Sequence, residues 1–316
     1  MMFAARFLVT LLLLLNLHAA SPFSSHRYLH NGVELKYRHR PPIDSSSSSN
    51  SPPLNVICLH PIGVGISSWF FDKLLSSSAL PTAHIYAPDL LGTGSTPPFD
   101  PTKAGMSFPL DWALQIESFW RTVSSTSDGP CALLSQGGIA PLALSLAHRG
   151  NLSRLEKLVL LSPQKYCEVA APAVSEKEFG KNYGVLTQPV LKPFFRWFLS
   201  QSWSVKLFSG LFLFSGKVDP DFVRNCVDEA AALGPAGFEP VAAFNAGALN
   251  TRSYEEELRS ISVETIVVSG KDDTKDRTAG REGYAGGMKR CVVKVLENGY
   301  NNIPWENCDA SEEWFF

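Results

Sequence analysis

Several short stretches of this chain carry residue types that could do chemistry, and each follows an apolar run of strand-like character. One is Leu133-Leu134-Ser135-Gln136-Gly137-Gly138. A serine on a sharp strand-to-helix turn is an exposed nucleophile in the pattern Gly-x-Ser-x-Gly. Gly137 fits the small position after Ser135; Leu133 misfits the one before it. Another is His60-Pro61-Ile62-Gly63-Val64-Gly65, where a glycine-rich turn can aim backbone N–H groups at a developing oxyanion. Pro61 has no N–H, so Ile62 is the expected donor. The N–H of Gln136, at the start of the following helix, is the expected second one. Gly270-Lys271-Asp272-Asp273 offers a carboxylate to orient a histidine, and Asp273 has better spacing than Asp272. Asp89, in Asp89-Leu90-Leu91-Gly92-Thr93-Gly94-Ser95, reads as a cap on its own turn.

A base must come within hydrogen-bond reach of the serine. All seven histidines lie at or before His148. His148 is removed from Ser135 by about 20 Å of helix. His84 opens its strand, at the edge away from the turns. That leaves His60, beside the oxyanion turn, as the alternative base, although a bond to its own turn explains it more simply.

The elements that must hold these residues alternate. Strand-like runs at 54–60, 84–91, 131–135, 155–163, 264–270 and 291–297 are interleaved with helical spacing at 66–75, 108–123 and 137–149. That pattern specifies a mostly parallel sheet with helices on both faces, and ligands bind beyond its carboxyl edge. Residues 27–39 read as a hairpin about Asn31-Gly32, and the Pro/Ser-rich 41–53 as a loop. The stretch 164–262 is too long for a connection. It is helical in character and dense in aromatics: Phe194, Phe195, Trp197, Phe198, Trp203, Phe208, Phe212 and Phe214. These read as a cap core and pocket wall in preference to a membrane-contact face.

With 45% apolar and 18% charged residues and a net charge of −2, nothing points to nucleic acid as a partner. There is no glycine fingerprint for a dinucleotide and no Cys/His spacing for a metal, so no cofactor is expected. Cys58 and Cys131, inside apolar runs, read as buried thiols, and spacing pairs none of the other cysteines. Asn151-Leu152-Ser153 is a glycosylation sequon. Arg6, the apolar run 7–17 and the small residues Ala19, Ala20 and Ser21 have the layout of a signal peptide, with a retained anchor as the alternative. Entry to the secretory pathway follows; a Ser-rich, acid-free segment comes next, so a secreted or lumenal and a plastid destination both stand.

In this order, HPIGVG, DLLGTGS, LSQGG, GKDD and ENGYNNIPWEN resemble the α/β-hydrolase superfamily over residues 27–316. The HPIGVG run is further similar to a plant and cyanobacterial subgroup that is often plastid-associated. The resemblance implies an α/β-hydrolase fold, with a targeting segment at 1–20, core at 27–163, helical cap at 164–262 and core again at 263–316. It implies Ser135 and Asp273 as nucleophile and acid, and puts Tyr300 at the position of the histidine. A phenol with an ordinary pKa of about 10 is a poor base at neutral pH; Tyr300 could instead bond Asp273 as a strut. Two functions are consistent with this: a serine hydrolase of an apolar ester or lipid-like substrate with an incomplete triad, or a non-catalytic pseudo-hydrolase that keeps the pocket for an apolar ligand. After Asn307 only CDASEEWFF is left, about one turn where the resemblance implies a terminal helix, so a shortened end is expected.

Overall fold

The structure, a computed structural model, describes residues 22–44, 52–96 and 109–315. The targeting segment expected at 1–20 and much of the 41–53 loop lie outside the described residues. The strands are β1 (Ser24–His30), β2 (Val33–Arg40), β3 (Asn55–Leu59), β4 (His84–Pro88), β5 (Cys131–Gln136), β6 (Leu155–Leu161), β7 (Glu264–Gly270) and β8 (Cys291–Leu296). They make one sheet in the order β1-β2-β4-β3-β5-β6-β7-β8. β1 and β2 form an antiparallel hairpin that turns at Asn31 and Gly32, with φ of 50° and 78°. β2 lies antiparallel to β4, and the remaining pairs are parallel. This is the mostly parallel sheet that the alternation specified, in the α/β-hydrolase arrangement that the resemblance implied.

Helices of eight or more residues are α1 (Leu110–Ser124), α2 (Ala140–Arg149), α3 (Glu176–Leu186), α4 (Leu191–Leu199), α5 (Ser202–Phe212), α6 (Pro220–Leu233), α7 (Phe238–Asn245) and α8 (Lys275–Gly287). Every residue of β3 and β5 is buried. Such strands feed both faces of the sheet, because successive side chains point to opposite sides. Ile57, Leu59 and Leu133 pack with Trp112 and Phe119 of α1, Leu142 of α2 and Tyr284 of α8. Val56, Cys58 and Leu134 join Phe70, Phe71, Phe222 and Trp305 on the other face. The short tail contributes here too: Trp314 and Phe315 are fully buried in the second cluster. All six cysteines are unpaired, with Cys58 and Cys131 buried as read from the sequence.

α3 to α7 lie between β6 and β7. One expectation holds there in part: Phe208 and Phe212 line a cavity, as a pocket wall would, but the aromatics of α4 and α5 do not form a closed core. α4 has no buried residue, and Trp197 and Trp203 are 55% and 54% exposed. The physical reason is layering. The inner side of the α4–α5 hairpin walls a cavity, and nothing among the described residues packs on its outer side. No helix among the described residues is long and apolar enough to cross a membrane.

At the hairpin edge, His39 stacks on Tyr86 with ring centroids 4.5 Å apart, and its Nε2 lies 3.0 Å from His84 Nδ1. Burial, then the neighbouring His84 and His26, push the His39 imidazole down to about 4. The unfolded chain therefore takes up this proton near pH 6.5 and the folded chain only near 4. The contribution is complete above 6.5 and is lost as the pH falls through that window. The urea midpoint should fall between pH 7 and pH 5, and His39→Phe should make that fall shallower.

Candidate functional site

β5 continues through Gln136, so Ser135 sits inside the sheet, opposite Leu59 of β3 and Leu160 of β6. It is fully buried, its Oγ has no hydrogen-bond partner, and it is absent from the wall of the main cavity. The expected placement of Ser135 on the turn is therefore corrected. So is that of Gln136, which ends the strand and does not open the helix. The turn itself is made by Gly137, at φ 68°, from which a short 3-10 segment (Gly137–Ile139) leads into α2. A left-handed φ is cheap for glycine alone among the residues here. A Cβ added to Gly137 would meet no atom within 4 Å. The position that presents a side chain to open space thus carries none. The sequence held a signal for this: Leu133 misfits as the small residue before the turn, whereas moving the centre by two residues puts Ser135 in that position.

Asp273 follows β7 and is buried. Its carboxylate accepts from Arg281 Nη1 at 2.6 Å, Arg277 Nη1 at 3.3 Å and the Thr274 N–H at 2.8 Å. Arg281 is almost wholly buried and also donates from Nε to the Pro163 carbonyl at 2.7 Å. Cations therefore fill the place expected for a histidine or tyrosine. Asp272 is exposed, and its N–H donates to the Gly299 carbonyl at 3.1 Å. Tyr300 is half-buried, and its N–H donates to Glu306 Oε2 at 2.9 Å. No hydrogen bond joins it to Asp273 among the described residues. Gly299, at φ 124°, turns the chain so that Asn301 and Asn302, not Tyr300, reach the cavity wall. Tyr300 therefore does not occupy the place that the sequence assigned to it.

His60 is fully buried and held on both sides. Nδ1 donates to the Pro61 carbonyl at 2.9 Å, which leaves Nε2 to accept from the Leu90 N–H at 3.2 Å, with Thr93 Oγ1 3.1 Å away. Burial holds its pKa below the ordinary value. Its lone pair is engaged by the Leu90 N–H of the Asp89–Ser95 turn and is not offered to Ser135. Asp89 behaves as the sequence suggested, accepting from the N–H groups of Ser68 at 2.9 Å and Ser95 at 3.3 Å. Gly65, φ 66°, is needed where the His60–Gly65 turn meets α6: an added Cβ would lie 1.9 Å from the Cys226 carbonyl oxygen.

The cavity has a volume of about 590 Å³, and its wall is mainly apolar, with Ile62, Val205, Phe208, Phe222, Val241 and Phe244 among its residues. Gln136, Gly137, Asn301 and Asn302 form its polar part. A second recess of about 300 Å³ shares Gly137, Gly138 and Asn301 with it and is lined by Ser162, Gln164, Arg277 and Arg281. Three amides at this junction are fastened by their nitrogens: Gln136 to the Asn301 carbonyl at 2.6 Å, Gln164 to the Gly138 carbonyl at 2.8 Å, and Asn301 to the Phe212 carbonyl at 3.0 Å. Their oxygens have no partner. Buried polar groups are ordinarily paired, so the junction is rich in unused acceptors. Among the described residues no group of His, Cys, Asp or Glu side chains could hold a metal ion.

A family model described as "Alpha/beta hydrolase family" matches residues 56–310. The chain belongs to the α/β-hydrolase family. No curated protein sequence matches it significantly. Solved α/β-hydrolase-like structures agree in fold. A membrane phospholipase A described as a bacterial virulence factor has a TM-score of 0.62 at 16% identity, covering 98% of each chain. Proline iminopeptidase from Mycobacterium smegmatis has 0.63 at 15%, over 92% of this chain and 95% of that one. A thermophilic esterase from Thermogutta terrifontis has 0.62 at 16%, over 92% and 98%.

Within this α/β-hydrolase site the acid and the serine are separable by stability. Arg281→Met strands a buried carboxylate and should cost about 3–5 kcal/mol. Ser135→Ala removes an unpaired buried hydroxyl and should change stability by less than about 1 kcal/mol in either direction. Urea unfolding of the two variants beside the parent measures both.

Proposed function

We propose that this α/β-hydrolase-fold protein is a non-catalytic binder of an apolar ligand, held in the cavity beneath α4, α5 and α7. The observation that carries the reading is Gly137 at the centre of the strand-to-helix turn, where nucleophilic catalysis needs a side chain bearing a nucleophile. Three further features support it. Ser135 is sealed in the sheet, Asp273 is neutralised by two arginines, and His60 is committed to the Pro61 carbonyl and the Leu90 N–H. An apolar cavity with a few polar groups at one end suits a ligand such as a long-chain ester, alcohol or acid.

The other reading, hydrolysis of an apolar ester by Ser135 with the Ile62 and Gln136 N–H groups as oxyanion donors, requires the serine to leave the sheet and to find a base. One experiment separates the two. Turnover of nitrophenyl butyrate and octanoate should be equally negligible for the parent and Ser135→Ala, and a fluorophosphonate probe should label neither. A fluorescent long-chain fatty-acid analogue should bind the parent and Ser135→Ala alike. Val241→Trp, which fills the cavity, should weaken that binding by roughly tenfold or more, about 1.4 kcal/mol. Turnover in the parent that disappears with Ser135→Ala would restore the hydrolase reading.

A further inference from the structure

We propose that the outer face of the α4–α5 hairpin docks on the surface of an anionic lipid bilayer. On α4, Val190 at its N-cap, Phe194 and Trp197 follow helical spacing and are each more than half exposed. On α5, Trp203, Leu207 and Leu211 recur at every fourth residue, all about half exposed. The rings form a continuous group: Phe198 contacts Phe194 at 6.1 Å, Trp203 at 5.2 Å and Phe208 at 6.2 Å between centroids. Scattered exposed apolar residues need no explanation, but a contiguous aromatic face on two adjoining helices marks a contact surface.

Charge selects the occupant. The chain as a whole carries −2, yet 179–217 holds Lys181, Lys192, Arg196, Lys206 and Lys217 and no Asp or Glu. Lys192 pairs with Glu239 of α7. Lys181, Arg196, Lys206 and Lys217 have no carboxylate within ion-pair distance among the described residues. Tryptophan and phenylalanine beside unpaired lysine and arginine suit the headgroup boundary, with rings in the acyl region and cations at anionic headgroups. The hairpin helices are too short to span a bilayer, so they would lie in its plane. The face is also continuous with the cavity, since Leu199, Phe208 and Phe212 belong to its wall. Docking stands on the outer face alone. That an apolar ligand passes from bilayer to cavity rests, in addition, on the binding reading above.

The tryptophans allow a direct test. Of seven, only Trp197 and Trp203 are exposed; Trp69, Trp112, Trp120, Trp305 and Trp314 are each 6% exposed or less. Residues 1–21 contain none, so an insertion of that apolar segment is silent. The full chain is mixed with phosphatidylcholine vesicles, with and without phosphatidylserine, made with brominated acyl chains. Emission should be quenched on the phosphatidylserine vesicles, and the quenching should vanish in W197F/W203F. R196E/K206E, two surface changes, should weaken vesicle affinity by roughly tenfold or more, as should 0.5 M salt in the parent. Vesicle association without quenching would overturn the proposal, since another segment would then be the anchor. So would no association at all, or a concentration-dependent dimer in sedimentation that W197S/W203S abolishes, which would identify a second copy as the occupant.

Discussion

At the end of β5 the chain passes from a buried parallel strand to a helix through a turn with a left-handed φ. Gly137 supplies that φ in this α/β-hydrolase-fold protein. Much of the site follows from it. β5 stays paired on both sides through Ser135, which keeps the serine among sheet neighbours. The 3-10 segment then delivers α2 over the face filled by Leu133 and Leu142. Gly138 lies so close to Phe244 that an added Cβ would come within 2.4 Å of its ring, so the turn also sets how near α7 can approach. Turn, cavity and recess thus share one piece of backbone.

The polar interior is arranged around the same point. Arg281 and Arg277 close over Asp273, and Arg281 ties that loop to Pro163 after β6. A buried ion pair costs much of its attraction in desolvation and is weak evidence of net stability. Its effect here is positional, joining the ends of β6 and β7. Gln136, Gln164 and Asn301 similarly use their nitrogens to link separate loops, leaving their oxygens unused. These guanidinium and amide nitrogens hold loops together, while the apolar volume above them stays open. Outside that volume, α4 and α5 expose the apolar face that no layer among the described residues covers.

The sheet was legible from the sequence because its signals are local. Apolar runs bounded by turn residues located every strand of the parallel core, and Asn31-Gly32 located the hairpin. The cap was legible as helix but not as to what its aromatics face: the periodicity of Trp203, Leu207 and Leu211 shows that they share a side, not whether another layer meets it. The roles of Tyr300 and the two asparagines after it were hidden for a similar reason. A turn at Gly299 decides which of three consecutive side chains reaches the cavity, and a residue count does not contain that rotation.

By itself the sequence determined the doubly covered sheet, the order of the loops at its carboxyl edge, and the lack of any histidine beyond His148, since each depends on residue type and spacing along one chain. Tertiary structure alone decided that Ser135 is sealed between Leu59 and Leu160, that Asp273 faces Arg281, and that His60 accepts from the Leu90 N–H. Strand pairing, a buried ion pair and a hydrogen-bonded imidazole all join residues distant in sequence. Their partners are selected by the packing of the whole, and no local pattern records that choice.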